Sequence, residues 1–271
     1  MPEPASAQDG RPAIDTSVPH NARIWNHWLG GTDNFPVDRE MGDRIRAFFP
    51  EIVDNARADR EFLVRAVRHL TTEAGVRQFL DIGSGLPTRD NTHEVAQTAD
   101  ADARVVYVDN DPMVLAHARA LLAGGPEGAT AYIDADLRDP GRILDAAAAT
   151  LDFTRPVGLM LLGSLNFVAD DAEVRRVLDR LVGALAPGSH LVVSHPTDAL
   201  NPGRAREVVR AWNENGTPKL TLRSPEQITG LFRGLDLLDP GVVSCSLWRP
   251  PPDRPGDAVV VDEYCGVARK P

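Results

Sequence analysis

The chain holds two cysteines in 271 residues, Cys245 and Cys265, which offer no metal-site spacing and fit a reduced compartment as buried thiols in the last sheet strands. No apolar run approaches the roughly 18–20 residues that a bilayer-spanning helix requires, and Met1–Asp15 lacks a basic start followed by an apolar core. These absences predict a cytoplasmic protein with no membrane partner. Positive charge is also in deficit: 29 Lys and Arg against 39 Asp and Glu give a formal net charge of −10 and a pI near 5.2. Nucleic-acid binding draws on a surplus of cations at phosphates, so a nucleic-acid partner is not expected. His93-Glu94 is followed by no second histidine at the zinc-protease spacing, so no metal is expected. What remains is ordinary for a globular protein, 42% hydrophobic and 25% charged. The length suits one α/β domain of about 200 residues plus an appendage.

The most informative stretch runs from Val76 to Thr88. A short apolar strand leads into Asp81-x-Gly83-Ser84-Gly85, and a second strand, Val105–Asp109, ends in an acid. The first glycine lets the chain turn off the strand; the second lets its backbone approach a ligand that a Cβ would obstruct. Asp109, followed by Asn110, is placed to accept hydrogen bonds from two ribose hydroxyls. It lies 24 positions after Gly85, close to the roughly 20-residue interval of a β-α-β nucleoside site. The third glycine of the dinucleotide fingerprint is absent, its position taken by Thr88. A turn complete for a nucleoside and incomplete for a pyrophosphate points to S-adenosylmethionine rather than NAD.

Further strands are expected at Gly128–Ile133, running into Asp134-Ala135-Asp136-Leu137, and at Pro156–Leu162, an uninterrupted apolar run ending at Gly163-Ser164-Leu165-Asn166-Phe167. Asp136 can accept from an adenine amino group while Leu137 covers the ring; capping of the next turn is the structural alternative.

The segments Gly85–Thr88, Asn91–Gln97, Val105–Pro112 and Leu115–Leu122, with the entry motif Ala22–Phe35 and Asp38-Arg39, resemble the bacterial S-adenosylmethionine-dependent methyltransferase family once known only as DUF574. The similarity runs from about Pro19 to Lys270. It implies a Rossmann-like class I methyltransferase fold: a seven-stranded, mostly parallel sheet with an antiparallel last strand and an N-terminal helical extension. It implies little about the methyl acceptor. Where relatives tend to carry Tyr-Asp in the entry motif this chain has Trp25-Asn26, and where they often carry histidines after the fourth strand it has Asn166-Phe167.

Along the chain we expect a flexible tail over 1–18, a helical lid over 19–75 broken near Gly30-Gly31 and Pro50, and the cofactor-binding domain over 76–271. Leu191–Ser194 is the expected fifth strand, with His195 at its end. Asp170 or Asp171 caps an amphipathic helix, Arg204–Trp212 reads as helical, and Ser224–Gln227 is a capping box. Leu235–Leu247 and Val259–Ala268 make the closing strand pair, joined by an exposed connection at Pro250–Gly256.

Methyl transfer needs alignment and desolvation more than an aggressive catalyst. Ser84 and Gly163 belong with the cofactor turns; Thr88 and Asn91, with Arg23, are placed for the cofactor's amino-acid end. His195 is the candidate general base, or else a strand-end histidine bonded to backbone. Asn166 and Phe167 would orient and cover an acceptor. Trp25 and Trp28 would stack on it, or pack the lid. The expected function is methyl transfer to a small-molecule hydroxyl or amine, with a homodimer possible. Cyclisation or cleavage of S-adenosylmethionine and non-catalytic binding are the alternatives.

Overall fold

The computed structural model describes residues 14–122, 130–251 and 259–271; the tail expected over 1–18 and the connection 250–256 lie largely outside this range. Three helices come first: α1 (Asn21–Trp28), α2 (Pro36–Phe48) and α3 (Ile52–Thr72). The breaks fall where Gly30-Gly31 and Pro50 place them. Strands and helices then alternate: β1 (Gln78–Ile82), α4 (Thr92–Ala99), β2 (Arg104–Asp109), α5 (Pro112–Leu122), β3 (Thr130–Asp134), α6 (Pro140–Ala147), β4 (Gly158–Leu162), α7 (Asp171–Ala184) and β5 (His190–Pro196). After α8 (Pro202–Asn215) and α9 (Pro225–Gly230) come β6 (Asp236–Leu237), β7 (Val243–Ser244) and β8 (Glu263–Arg269).

The sheet has eight strands in the order β3-β2-β1-β4-β5-β8-β6, with β7 also pairing β8. The first five are parallel, and β8 lies antiparallel between β5 and the two short strands. Seven strands were expected. The count rises because the sixth breaks at Pro240-Gly241, where proline has no N–H to give a ladder and Gly241 takes φ +88°. The chain after Ser244 turns into a 3-10 segment, Cys245–Leu247, so the long closing hairpin contracts. Cys245 and Cys265 are buried free thiols, the former in this segment rather than in a strand.

The sheet is covered on both faces, which is why its parallel strands read as unbroken apolar runs. Leu80, Val106, Leu159 and Val193 face a core shared with α6, α7 and α9. Phe79, Val105, Met160, Val192 and Val267 face the other side, against Phe62, Ala66 and Leu70 of α3. Helix α3 is therefore part of the sheet's packing layer, and only α1 and α2 stand off from it. These two bury Ile24, Met41 and Ile45 against Val208 and Trp212 of α8 in a separate small core. Strand order reverses between β1 and β4, and open α/β sheets bind ligands at the carboxyl ends of the strands at such a point. The roof made by α1, α2 and α8 lies over that edge.

Candidate active site

The Asp81–Gly85 turn takes its shape from β2. Gly83 N–H donates to the Val108 carbonyl at 2.8 Å, and Gly83 adopts φ +79°. A Cβ at Gly83 would sit 2.6 Å from Cβ of Ser164 on the neighbouring β4 turn, so the two turns meet through a missing side chain. Gly85, at φ +65°, differs: a Cβ there would meet nothing within 4 Å. Both glycines line a cavity of about 530 Å³. That volume falls in the usual range of ligand pockets, roughly 300–1,000 Å³.

Asp109 stands across the turn. Its Oδ2 accepts from Gly85 N–H at 2.9 Å and its Oδ1 from Asp111 N–H at 2.9 Å, leaving further lone pairs free. Burial raises its pKa against those two backbone bonds. Asp136 and Leu137 line the same end of the cavity with Asn110. Arg138 grips both oxygens of Asp136, at 2.9 and 2.6 Å, and chiefly this contact holds the Asp136 pKa below the usual carboxylate range. Asp81 lines the cavity beneath the turn; its Oδ2 accepts from Thr92 Oγ1 at 2.6 Å, and burial lifts its pKa to about 6.

Ser84, Thr88 and Gly163 also line the cavity, whereas Asn91 and Arg23 do not. Asn91 is the N-cap of α4: its Oδ1 accepts from Thr88 N–H, and its own N–H donates to Glu94, a capping box. Arg23 is buried in the lid, donating to Asp38 and to the carbonyls of Asp15 and Val18. With its donors so engaged, Arg23, expected at the amino-acid end of a cofactor, does not line the cavity. Arg60 does line it, donating to the Arg89 carbonyl at 2.9 Å and to Asn91 Oδ1 at 3.2 Å.

The same cavity is lined by Trp25, Trp28, Asn166 and Phe167, and by Asp59, Thr197 and Glu263. Trp25 and Trp28 meet edge to face at 5.9 Å, and Trp28 Nε1 donates to the Gly42 carbonyl, so Trp28 is a packing residue of the lid as well as a wall. Asn166 is buried, and its Oδ1 has no partner among the described residues.

His195 is the main departure from the expectation. It is fully buried and does not line the cavity. Arg223 Nη1 donates to its Nε2 at 2.8 Å, and its Nδ1 lies 2.8 Å from the Pro196 carbonyl. A guanidinium only donates and a carbonyl only accepts, so the ring is neutral with its proton on Nδ1. Burial, with the Arg223 charge, drives its pKa down to about 3. A general base needs a reachable lone pair, and this imidazole has none. Its role is positional: the same Arg223 donates to the carbonyls of Leu165 and Val168, which frame the Asn166-Phe167 turn.

This placement gives a pH prediction. Below about pH 6.5 the unfolded chain binds a proton at His195 that the folded chain does not take until about pH 3. Acid therefore withdraws stability through this group, by up to about 1.4 kcal/mol per pH unit. Urea unfolding of His195→Gln at pH 7.5 and 5.0 should show it less stable than wild type at the higher pH, by about 1–3 kcal/mol, with the gap narrowing at the lower. A gap independent of pH would contradict a buried neutral ring.

Arg60, Asn55, Asp59 and Glu263 were not read from the sequence. A signal existed: Asp59 lies in register with Leu63, Ala66 and Leu70 on the apolar stripe of α3, where a carboxylate has no packing role. Among the described residues no cluster of three His, Cys, Asp or Glu side chains is placed to hold a metal, and no helix is long and apolar enough to cross a membrane.

Comparison with known proteins agrees with this geometry. A DUF574 family protein from Streptomyces avermitilis MA-4680 is 42% identical and superposes with a TM-score of 0.90 over 96% of this chain and 100% of its own. A Thermobifida fusca YX protein provisionally named a methyltransferase is 43% identical, with a TM-score of 0.87 over 96% and 97% of the two chains. A Mycolicibacterium paratuberculosis protein, provisionally named an S-adenosyl-L-methionine-dependent methyltransferase, is 30% identical over 193 residues. That match takes in 69% of this chain and 58% of the relative's length. The residues present fit the nucleoside part of such a donor, with an open volume where Gly85 lacks a side chain and a carboxylate beside it. Residues 7–271 match the model of the S-adenosyl methyltransferase family, and the chain belongs to that family.

Proposed function

We propose that the protein transfers the methyl group of S-adenosylmethionine to a small-molecule hydroxyl or amine. The observation that supports this most is that one cavity of about 530 Å³ is lined both by the Gly83–Gly85 turn with Asp109 and by Trp25, Asn166 and Phe167. A cleft for the nucleoside alone would not need those further walls. When bound, S-adenosylmethionine supplies a methyl group on a cationic sulfur. The chain's own residues then have three tasks.

Asp109 holds the ribose and Leu137 covers the base. Arg60 meets the carboxylate of the amino-acid end. Asn166 and Phe167, on a turn clamped by Arg223, fix the acceptor's approach, while α1 and α2 exclude water. His20 at the foot of α1 lies 2.7 Å from Asp111 just after β2, so the lid is tied to the strand end that carries Asp109.

Product analysis separates the readings. Incubation with S-adenosylmethionine and a panel of small hydroxyl and amine compounds should yield methylated acceptor and S-adenosylhomocysteine in equal amounts. Methylthioadenosine instead would indicate cleavage of the aminobutyrate arm, and unchanged cofactor would indicate binding alone.

The carboxylate assignment has its own test. Arg60→Ala should weaken S-adenosylhomocysteine binding by about tenfold or more while leaving adenosine, which has no carboxylate, within about twofold. Arg23→Ala should instead lower the unfolding midpoint through the broken Asp38 contact. Equal loss for both ligands in Arg60→Ala would remove Arg60 from the carboxylate.

A further inference from the structure

One part of the cavity wall is an arrangement that costs the fold stability without serving it. Asp59 is 7% exposed, Glu263 2% and Asn55 3%, and all three line the cavity. Oδ1 of Asp59, Oε1 of Glu263 and Oδ1 of Asn55 have no hydrogen-bond partner among the described residues. Buried carboxyl groups are normally paired with a cation or fully hydrogen-bonded. Here burial lifts Asp59 to about pH 6 and Glu263 well above the usual carboxylate range, and Asp59 itself is the next cause of the Glu263 shift. The titratable groups around the pair are Arg60 on α3, Asp262 before β8, Asp81 on β1 and the buried thiols of Cys245 and Cys265. Arg60 donates away from it, to Arg89 and Asn91.

Position within the sheet separates this pair from the nucleoside end. The Ser194 side chain of β5 hydrogen-bonds the Asp59 carboxyl, whose Oδ1 is left without a partner among the described residues, and Glu263 opens β8 opposite Pro196 of β5. Asp109 ends β2, three strands away from β5, or roughly 14 Å at about 4.8 Å per strand. Asn55 and Asp59 are one turn apart on one face of α3. Three acceptor oxygens without a partner thus belong to residues that line one cavity, along with the apolar side chains of Trp212 and Leu222 and the ring of Trp25. An ammonium group has three N–H donors and a positive charge; a hydroxyl has one donor and none.

We infer that the acceptor is a protonated amine whose ammonium is held by Asp59, Glu263 and the Asn55 carbonyl oxygen, and that one of the two carboxylates takes its proton. This rests on the methyl-transfer reading above and narrows it. The N–H bond breaks, the proton passes to a carboxylate oxygen, and the nitrogen keeps the electron pair as a neutral amine with its lone pair free. Buried acids with raised affinity for protons are poised for that exchange.

The test is calorimetry on the full chain, first with S-adenosylhomocysteine and then, in its saturating presence, with n-butylamine, histamine, tyramine and spermidine and the alcohols matching the first three. Each titration is run at pH 7 in two buffers of different ionisation enthalpy. At least one amine should bind, its alcohol counterpart at least tenfold more weakly, with a proton released to buffer as the ammonium displaces it from the acid pair. Glu263→Gln and Asp59→Asn should each weaken amine binding at least tenfold and abolish the proton release, while S-adenosylhomocysteine affinity stays within threefold. Both variants remove a buried ionisable group, so urea unfolding at pH 8 should find them no less stable than wild type.

The proposal is overturned if no amine binds, if alcohols bind as well as amines, or if the variants retain amine binding. It is also overturned if the variants lose S-adenosylhomocysteine, since the ammonium at this site would then be the cofactor's own. Failure of wild type to bind S-adenosylhomocysteine in the first titration would sink the underlying methyl-transfer reading, independently of any amine.

Discussion

Gly83→Val should abolish S-adenosylhomocysteine binding, with no heat detectable at concentrations a thousandfold above the wild-type Kd. Two separate costs act at this residue. Its φ of +79° is a conformation that a side chain disfavours by about 1–2 kcal/mol, and more for a β-branched one. A Cβ would also lie 2.6 Å from the Ser164 Cβ, so the β1 and β4 turns must separate or the Gly83 backbone must flip. Either movement displaces Ser84 and Gly85, whose backbone the ligand approaches. Gly85→Ala is the informative companion. Its φ of +65° carries similar strain, but the new methyl meets no protein atom within 4 Å. It should therefore destabilise less than Gly83→Val and still lose most of its affinity, because the methyl occupies ligand volume. Wild-type affinity in Gly85→Ala would place the cofactor elsewhere.

Asp109→Ala should weaken S-adenosylmethionine by about 2–3 kcal/mol, roughly 30- to 150-fold. Loss of hydrogen bonds to two ribose hydroxyls accounts for most of this. A further part comes from the turn itself, because the same carboxylate accepts from Gly85 and Asp111 backbone N–H groups. The two contributions separate with 2′-deoxyadenosine and adenosine as ligands. Loss of the 2′-hydroxyl should cost wild type about tenfold and the variant almost nothing. Asp136→Ala should cost less, since Arg138 already engages both Asp136 oxygens. Equal affinity of Asp109→Ala and wild type would take Asp109 out of the site.

That Gly83, Gly85 and Asp109 gather at one cavity was legible in the sequence because the requirements there are local. A strand must turn within a few residues, so Gly83 and Gly85 are marked by their own backbone conformations, and Asp109 by its position at a strand end. The apolar runs of β1, β2, β4 and β5 read correctly because each strand is buried on both faces. Residues whose surroundings depend on distant segments were harder. His195 stands at the end of β5, where a catalytic base would be sought, but its partner Arg223 is 28 positions away and nothing nearby marks the pair. Arg23 has Asp38 as partner 15 positions on, and that pairing, legible only once α1 and α2 are folded together, keeps it out of the cavity wall. Arg60 and Asp59 are adjacent in sequence yet face different partners, the Arg89 carbonyl and Asn91 for one and Ser194 for the other, because neighbours on a helix point about 100° apart. The broken sixth strand shows the same limit: Pro240-Gly241 is visible, but the alternation around it continues as if the strand were whole.

On the proposed reading, one cavity binds S-adenosylmethionine with its ribose at β2 and its amino-acid end at Arg60, leaving the walls at Trp25, Asn166, Phe167 and Glu263 for an acceptor. A crystal structure with S-adenosylhomocysteine should show both ribose hydroxyls on Asp109, adenine against Leu137, the carboxylate at Arg60, and no cofactor atom within hydrogen-bond distance of Glu263. A ribose away from Asp109, or an amino-acid end reaching Glu263, would contradict it.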